Sequence, residues 1–275
     1  MPPDSFRKGL DSRFVMFGLF RKNLSQPKAP RGHRAYAIGD IHGRLDLLDQ
    51  LLERVERDNA ERGRAETHLV FLGDLIDRGP SSCQVVERLR TYQPRKMSTV
   101  FLIGNHEEVL LRLLGGEKGL LSSWLLFGGA ECLRSYGIDP DKVDPADETT
   151  ALRQVARAIP SKHADFLKSF ADTFRFGDYL FVHAGIRPGV ELDAQDSTDL
   201  RWIRHPFLED ESDHGVTVVH GHTISPGIDE RQNRIGIDTG AYRTGILTAL
   251  GIEGADRWVF STASEPSCAD RVSID

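Results

Sequence analysis

A chain of 275 residues with 39% hydrophobic and 28% charged residues has the composition of a globular protein long enough to bury a sizeable core. Its 35 basic and 41 acidic residues leave a formal charge of -6, which argues against a nucleic-acid backbone as the main partner, because such surfaces are basic. Cys83, Cys132 and Cys268 form no CxxC pair, which excludes a disulfide framework or a thiolate zinc site and makes a reducing cytoplasm the expected location.

Residues 1–33 read as a flexible N-terminal segment that closes on the loop composition Gln26-Pro27-Lys28-Ala29-Pro30-Arg31-Gly32. Met1 to Val15 shows no periodicity, and Met16 is an alternative start. The apolar run Phe14–Phe20 is too short to cross a bilayer, so no stable membrane insertion is expected. Regular structure is predicted from Ala35-Tyr36-Ala37-Ile38, a short buried strand stopped by Gly39. Apolar residues at Leu45, Leu48, Leu51, Leu52 and Val55 then carry helical spacing. A second strand, Leu69–Leu72, precedes a helix near Cys83–Tyr92, and a third, Thr99–Ile103, precedes a helix through Val109, Leu110, Leu113 and Leu114. Strand, glycine, polar cluster, helix: the three repeats argue for a parallel βαβ layout with ligands beyond the carboxyl ends of the strands.

From about Gly115 to Phe176 the periodicity is helical, with a polar loop at Asp139–Thr150, and this stretch reads as a helical insertion beside the site. Trp124, Phe127, Phe166 and Phe170 are expected in its core. Further strands are predicted at 179–182, 216–219, 234–237, 246–250 and 257–260, the last three as an antiparallel group. The main domain is expected over 34–264, and 265–275 as a C-terminal tail.

Five clusters each follow an apolar strand-like run: Gly39-Asp40-Ile41-His42-Gly43, Gly73-Asp74-Leu75-Ile76-Asp77-Arg78-Gly79-Pro80, Gly104-Asn105-His106-Glu107, His183-Ala184-Gly185 and His220-Gly221-His222-Thr223. Their donors are oxygen and nitrogen only, a set that suits borderline divalent ions better than Ca²⁺. Two such ions sharing a carboxylate can activate water and clamp phosphoryl oxygens, while arginines offer planar forks for phosphate. Other chemistries fail on detail. Gly115-Gly116-Glu117-Lys118-Gly119 has no preceding strand, Leu110 stands where a zincin has its second histidine, and no GxSxG elbow exists.

The ordered motifs GDIHG, GDLIDRGP, GNHE, HAG and HGHT over about residues 34–260 resemble the calcineurin-like metallophosphoesterases, in particular their phosphoprotein phosphatase branch with its bacterial and phage members. The resemblance implies an α/β fold, a sandwich of two mixed β-sheets flanked by helices, with a helical insertion. It implies two divalent ions, Mn²⁺ first, with Fe²⁺, Zn²⁺, Ni²⁺ or Co²⁺ as alternatives. Asp40 and His42 match ligands of the first ion, Asp74 the bridge, and Asn105, His183 and His222 the second set. His106 matches the acid that protonates the leaving oxygen, and Asp77 the carboxylate that orients it. Arg78, Arg204 and Asn105 match groups that bind the substrate phosphate, in a direct attack by a bridging hydroxide. Tyr242 lies near the position of a substrate-side tyrosine in some relatives.

His220 is expected at the strand end rather than in the ligand set, Glu107 as a helix cap, and Arg201 and Arg231 compete with Arg204. The expected activity is a serine/threonine protein phosphatase, with dual specificity as a variant, acting on a phosphoprotein or small phosphorylated substrate. Asp77 and Glu107 carry that preference. The alternative is a diadenosine tetraphosphate hydrolase, a family of enzymes that shares these motifs and the Ile237–Ala241 segment. A catalytically silent binding protein stands third. The sequence leaves the oligomeric state open.

Overall fold

The apolar runs form strands because their residues alternate between two buried faces, one packed on helices and one on a second sheet. The computed structural model describes residues 26–263. The run Phe14–Phe20, Cys268 and the expected tail 265–275 lie outside the described residues, as does most of the expected N-terminal segment. Strand β1 (His33–Ile38) leads through helix α1 (Leu45–Glu61) to β2 (Glu66–Phe71), then α2 (Ser82–Arg90), β3 (Met97–Phe101) and α3 (Asn105–Leu114). A helical stretch follows: α4 (Leu121–Trp124), a π-turn over Leu125–Gly129, α5 (Ala130–Ser135), α6 (Glu148–Ala158) and α7 (Ser161–Lys168). Then come β4 (Thr173–Phe176), β5 (Tyr179–Val182), α8 (Ser197–Trp202), β6 (Thr217–His220), β7 (Asp229–Glu230) and β8 (Arg234–Gly236). A short helix α9 (Ala241–Thr244) and strands β9 (Thr248–Glu253) and β10 (Asp256–Ser261) close the order.

The strands make two mixed five-stranded sheets, β10-β9-β1-β2-β3 and β4-β5-β6-β8-β7. As the βαβ pattern requires, β1, β2 and β3 are parallel, as are β5, β6 and β8. The period of two places Tyr36, Ile38, Leu69 and Phe71 on one face of the first sheet, buried against Leu48 and Leu52 of α1, Val85 of α2 and Leu110 of α3. Its other face, with Ala35, Ala37, Val70 and Leu72, packs on Phe181, Val219 and Ile235 of the second sheet. Leu180, Val182 and Val218 turn outward onto Leu200 and Phe207. Each fully buried side chain of this kind contributes about 1.5–3 kcal/mol.

Two expectations are corrected. Residues 173–176 close the predicted helical insertion but form β4, antiparallel to β5; at four residues, with Thr, Phe, Arg and Phe, the segment carries no period long enough to separate strand from helix. The predicted antiparallel trio holds for β9 and β10, which pair antiparallel, but not for β8. β8 pairs in parallel with β6 and antiparallel with β7, while β9 and β10 cross to the first sheet, where β9 pairs with β1. The turn composition around residues 238–245 marks a chain reversal but does not specify which sheet receives the next strand. Among the described residues no helix is long and apolar enough to cross a membrane.

Candidate metal centre

The loops after β1, β2, β3, β5, β6 and β8 all leave the carboxyl ends of parallel strands and converge on one site. Asp74 is its centre. Its Oδ2 lies 3.6 Å from His42 Nε2 and 3.9 Å from His106 Nε2, and its Oδ1 lies 3.5 Å from His183 Nε2. These spacings are long for hydrogen bonds, but two atoms that each approach one cation at about 2.1 Å lie roughly 3–3.5 Å apart. The donors of His42, Asp74 and His106, and those of Asp74, His183 and His222, form two clusters whose atoms lie within 4.8 Å of one another. Asp74 belongs to both, with one oxygen turned to each.

Asn105 Oδ1 lies 3.0 Å from His183 Nε2 and 2.9 Å from His222 Nδ1, so the second cluster gains an oxygen. His222 Nε2 is buried with no hydrogen-bond partner, a cost that a bound cation or polar ligand would remove. The Nδ1 atoms of His42 and His183 reach the carbonyls of Ile76 and Leu72, each at 2.8 Å, which leaves Nε2 of both rings as the free lone pair. Asp40 stands outside both clusters and accepts the His222 backbone N–H at 3.0 Å. These residues fit a pair of cations by donor type, by spacing and by the orphaned nitrogen.

The electrostatics point the same way. Burial lowers His42 to about 3, and it lowers His183 and His222 too, which favours the neutral, ligating form of imidazole. Burial pushes the Asp40 carboxyl well above its usual range, with Asp238 and Asp74 adding to the shift. Burial pushes Asp238 up to about 6. For Asp74 burial also opposes the charge, but His183, His106, His42 and His222 around it hold the group below the ordinary carboxylate range. Crowded acids of this kind are relieved by cations.

His106 is built differently. Its Nδ1 lies 2.7 Å from Oδ2 of Asp77, a fully buried carboxylate that also accepts the Trp124 indole N–H at 2.9 Å. Burial disfavours charge on His106, but Asp74 and Asp77 outweigh it and raise the ring above its ordinary value. Glu107 caps α3 by accepting the Gly104 N–H at 3.0 Å, as expected, and does more. It accepts the N–H groups of Asp74 and Leu75, each at 2.8 Å, and so fixes the bridging loop to the start of α3. Five of the six non-glycine residues with positive φ among the described residues are His42, Asp74, Asp77, Arg78 and His222, a concentration of backbone strain at one site.

Arg78 places Nη1 3.0 Å from His42 Nε2, and its guanidinium lies 4.9 Å from the centroid of the Tyr242 ring, which in turn meets His42 edge-on at 5.4 Å. The Gly128 carbonyl accepts the Arg78 N–H at 3.0 Å, and at φ +117 a Cβ there would meet Arg78 N at 2.5 Å, so only glycine fits. Arg204 is exposed and touches the site only through Nη2, 3.5 Å from the His222 carbonyl. Its competitors are committed elsewhere, Arg201 to Asp172 and Glu108, and Arg231 to Asp229. His220 ends β6, buried against Phe207 and outside both clusters.

One core expectation fails: Phe127 is 63% exposed, lifted out by the π-turn, beside Leu126 at 79%. Phe166 and Phe170 do pack, on Phe101. Two residues of the site escaped the sequence reading. Asp238 follows β8 with the same strand-then-acid pattern as Asp40 and was legible in principle. Trp124 gave only an apolar signal, because its partner Asp77 is 47 residues away.

The sequence matches the family profile described as Calcineurin-like phosphoesterase over residues 33–258. A symmetrical bis(5'-nucleosyl)-tetraphosphatase of Methylobacillus flagellatus is 26% identical over 283 residues, covering 84% of this chain and 96% of the relative. An asymmetrical bis(5'-nucleosyl)-tetraphosphatase of Bacillus velezensis is 30% identical over 154 residues, 54% of this chain and 55% of the relative, so that alignment spans about half of that protein. A symmetrical enzyme of Dechloromonas aromatica matches at 30% over 154 residues, 44% of its length. Among solved structures, a candidate diadenosine tetraphosphatase superposes with a TM-score of 0.59 at 22% identity, covering 86% of this chain and 100% of that one. A cold-active protein tyrosine phosphatase gives 0.53 at 18%, covering 84% and 81%. Both likenesses concern the fold, and the profile match spans most of the chain: it belongs to the calcineurin-like phosphoesterase family.

Proposed function

We propose that the chain is a dinuclear metal-dependent hydrolase of dinucleoside polyphosphates such as diadenosine tetraphosphate. The observation that carries the reading is the near full-length match to a symmetrical bis(5'-nucleosyl)-tetraphosphatase. The local geometry supports it. Tyr242 lies against the Arg78 guanidinium, and Phe127 and Leu126 are exposed next to Gly128, which touches the same arginine. A nucleobase requires flat apolar surface of this kind beside the phosphate site, whereas a phosphorylated serine does not. This reverses the order expected from Asp77 and Glu107 alone.

Asp40, His42 and Asp74 would hold one ion, and Asp74, Asn105, His183 and His222 the other, with Mn²⁺ the first candidate. When bound, the ions supply Lewis-acid polarisation of phosphate and activation of water. The chain's own groups do the rest. Arg78 and Arg204 would orient the phosphoryl oxygens. His106, fixed by Asp77, which favours its charged form, would deliver its Nε2 proton to the departing oxygen.

A serine/threonine protein phosphatase is the second reading, favoured by that same Asp77–His106 pair. A serine alkoxide needs protonation far more than a nucleotide phosphate does. Catalytic efficiencies under Mn²⁺ on diadenosine tetraphosphate, a phosphoserine peptide and p-nitrophenyl phosphate separate the two. The dinucleotide is expected to lead by at least about tenfold, a difference of roughly 1.4 kcal/mol in transition-state binding. A lead for the phosphopeptide reverses the proposal. Inactivity on all three, with no transition metal bound, leaves only the silent binding protein.

A further inference from the structure

A second group of ligating side chains lies at the far end of the first sheet. His33 and Glu66 open β1 and β2 as register partners, and His68, two residues on, shares their face. Five residue steps of strand, about 17 Å, separate them from the carboxyl ends that carry the metal centre. His33 Nδ1 lies 3.8 Å from Glu66 Oε2, and His68 Nε2 lies 4.0 Å from Glu66 Oε1. All three donor atoms fall within 4.8 Å of one another, and the two imidazole planes are parallel within 3°.

His68 has a hydroxyl partner on its other nitrogen. Ser98 Oγ lies 2.9 Å from His68 Nδ1 and 3.4 Å from the Thr67 carbonyl. With the hydroxyl donating to that carbonyl and accepting from Nδ1–H, the tautomer a bound cation requires, the Nε2 lone pair faces Glu66. Phe174 and Phe176 floor the site, with ring centroids 5.3 and 5.8 Å from His68. Burial, the largest effect on His68, lowers its basicity. A plain ion pair needs one histidine for one carboxylate. Two imidazoles converging on one carboxylate repel when both are charged, but suit a shared cation when both are neutral.

We infer that His33, Glu66 and His68 form a zinc site distinct from the metal centre. Two imidazole nitrogens and a carboxylate oxygen are a preferred zinc set, with water completing four-coordination on the open side. The Glu66 side chain is 68% exposed and free to close the few tenths of an ångström that separate these spacings from a tetrahedral site. Bound zinc would tie the start of β1 to β2.

Equilibrium dialysis of the full chain against Zn²⁺, with the metal content measured per chain, tests this. His68→Ala is expected to hold one zinc fewer than wild type, and Glu66→Gln to weaken that ion at least about tenfold, while p-nitrophenyl phosphate turnover stays within about twofold. Equal zinc content and affinity in wild type and both variants overturns the site. So does a loss of zinc that takes turnover with it, because the missing ion is then catalytic. Should His68→Ala fail to fold, Glu66→Gln, altered only at an exposed side chain, decides alone.

Discussion

Asp77 receives two donors on one oxygen, the His106 ring and the Trp124 indole, and is fully buried between them. Trp124 therefore fixes the plane of the carboxylate that fixes His106. Trp124→Phe keeps most of the apolar volume and removes only the N–H, a hydrogen bond to a charged group of about 1.5 kcal/mol. It is expected to lower kcat on an alkyl phosphate about tenfold with KM little changed, and to lower kcat on p-nitrophenyl phosphate much less, because that leaving group needs little protonation. Equal losses on the two substrates would show general damage to the fold instead of misplacement of the acid. The candidate ligands were legible in the sequence, since each lies in a glycine-containing cluster at a strand end. Trp124 was not, because an indole that packs a core and an indole that also donates a hydrogen bond have the same sequence signal.

Helices α2 and α7 are joined by a polar knot around Glu87. Its carboxylate accepts Arg90 Nη2 at 2.8 Å, Lys162 Nζ at 3.0 Å and His163 Nε2 at 2.8 Å, and His163 Nδ1 meets the Tyr136 hydroxyl at 2.9 Å. Arg90 first, then His163 and Lys162, hold Glu87 below the ordinary glutamate range. A carboxylate depressed in the fold contributes stability above its unfolded value, and that contribution is lost as pH falls through the folded one. Glu87→Gln is thus expected to lower Tm by a few degrees at pH 7, with the gap narrowing as pH drops below about 4.3. A gap that widens in acid would contradict the assignment. Helix α1 was predictable because more than four turns repeat its apolar stripe. Strands β4 and β8, four and three residues long, offer too few repeats, and their partners are chosen by the sheet.

Across the whole molecule, both sheets send loops to one site, with Asp40, Asp74 and Asn105 from the first and His183 and His222 from the second. Ions bound there would hold the two sheets together and bind only the folded chain. At a hundredfold excess over its Kd each ion contributes about 2.7 kcal/mol, so exhaustive chelation is expected to lower Tm by about 10 °C or more for a chain of this size. Thermal melts of chelated and Mn²⁺-loaded protein check this, and coincident melts of samples that differ in metal content would remove the ions from any role in joining the sheets.

The sequence by itself determined the family and the parallel βαβ start and pointed to the candidate ligands, because strand periodicity is local and metal ligands must be particular residue types at strand ends. It also carried the separation of His222 from His220, since the motif order distinguishes them. Only the tertiary structure decided that Asp74 turns one oxygen to each cluster, that Trp124 reaches Asp77, that Gly128 beside the exposed Phe127 meets Arg78, and that His33, Glu66 and His68 meet. Each of these is a contact between segments whose neighbours in the chain carry no trace of the partner. Register, sheet choice and the π-turn bring them together, and those are settled by packing over the whole molecule.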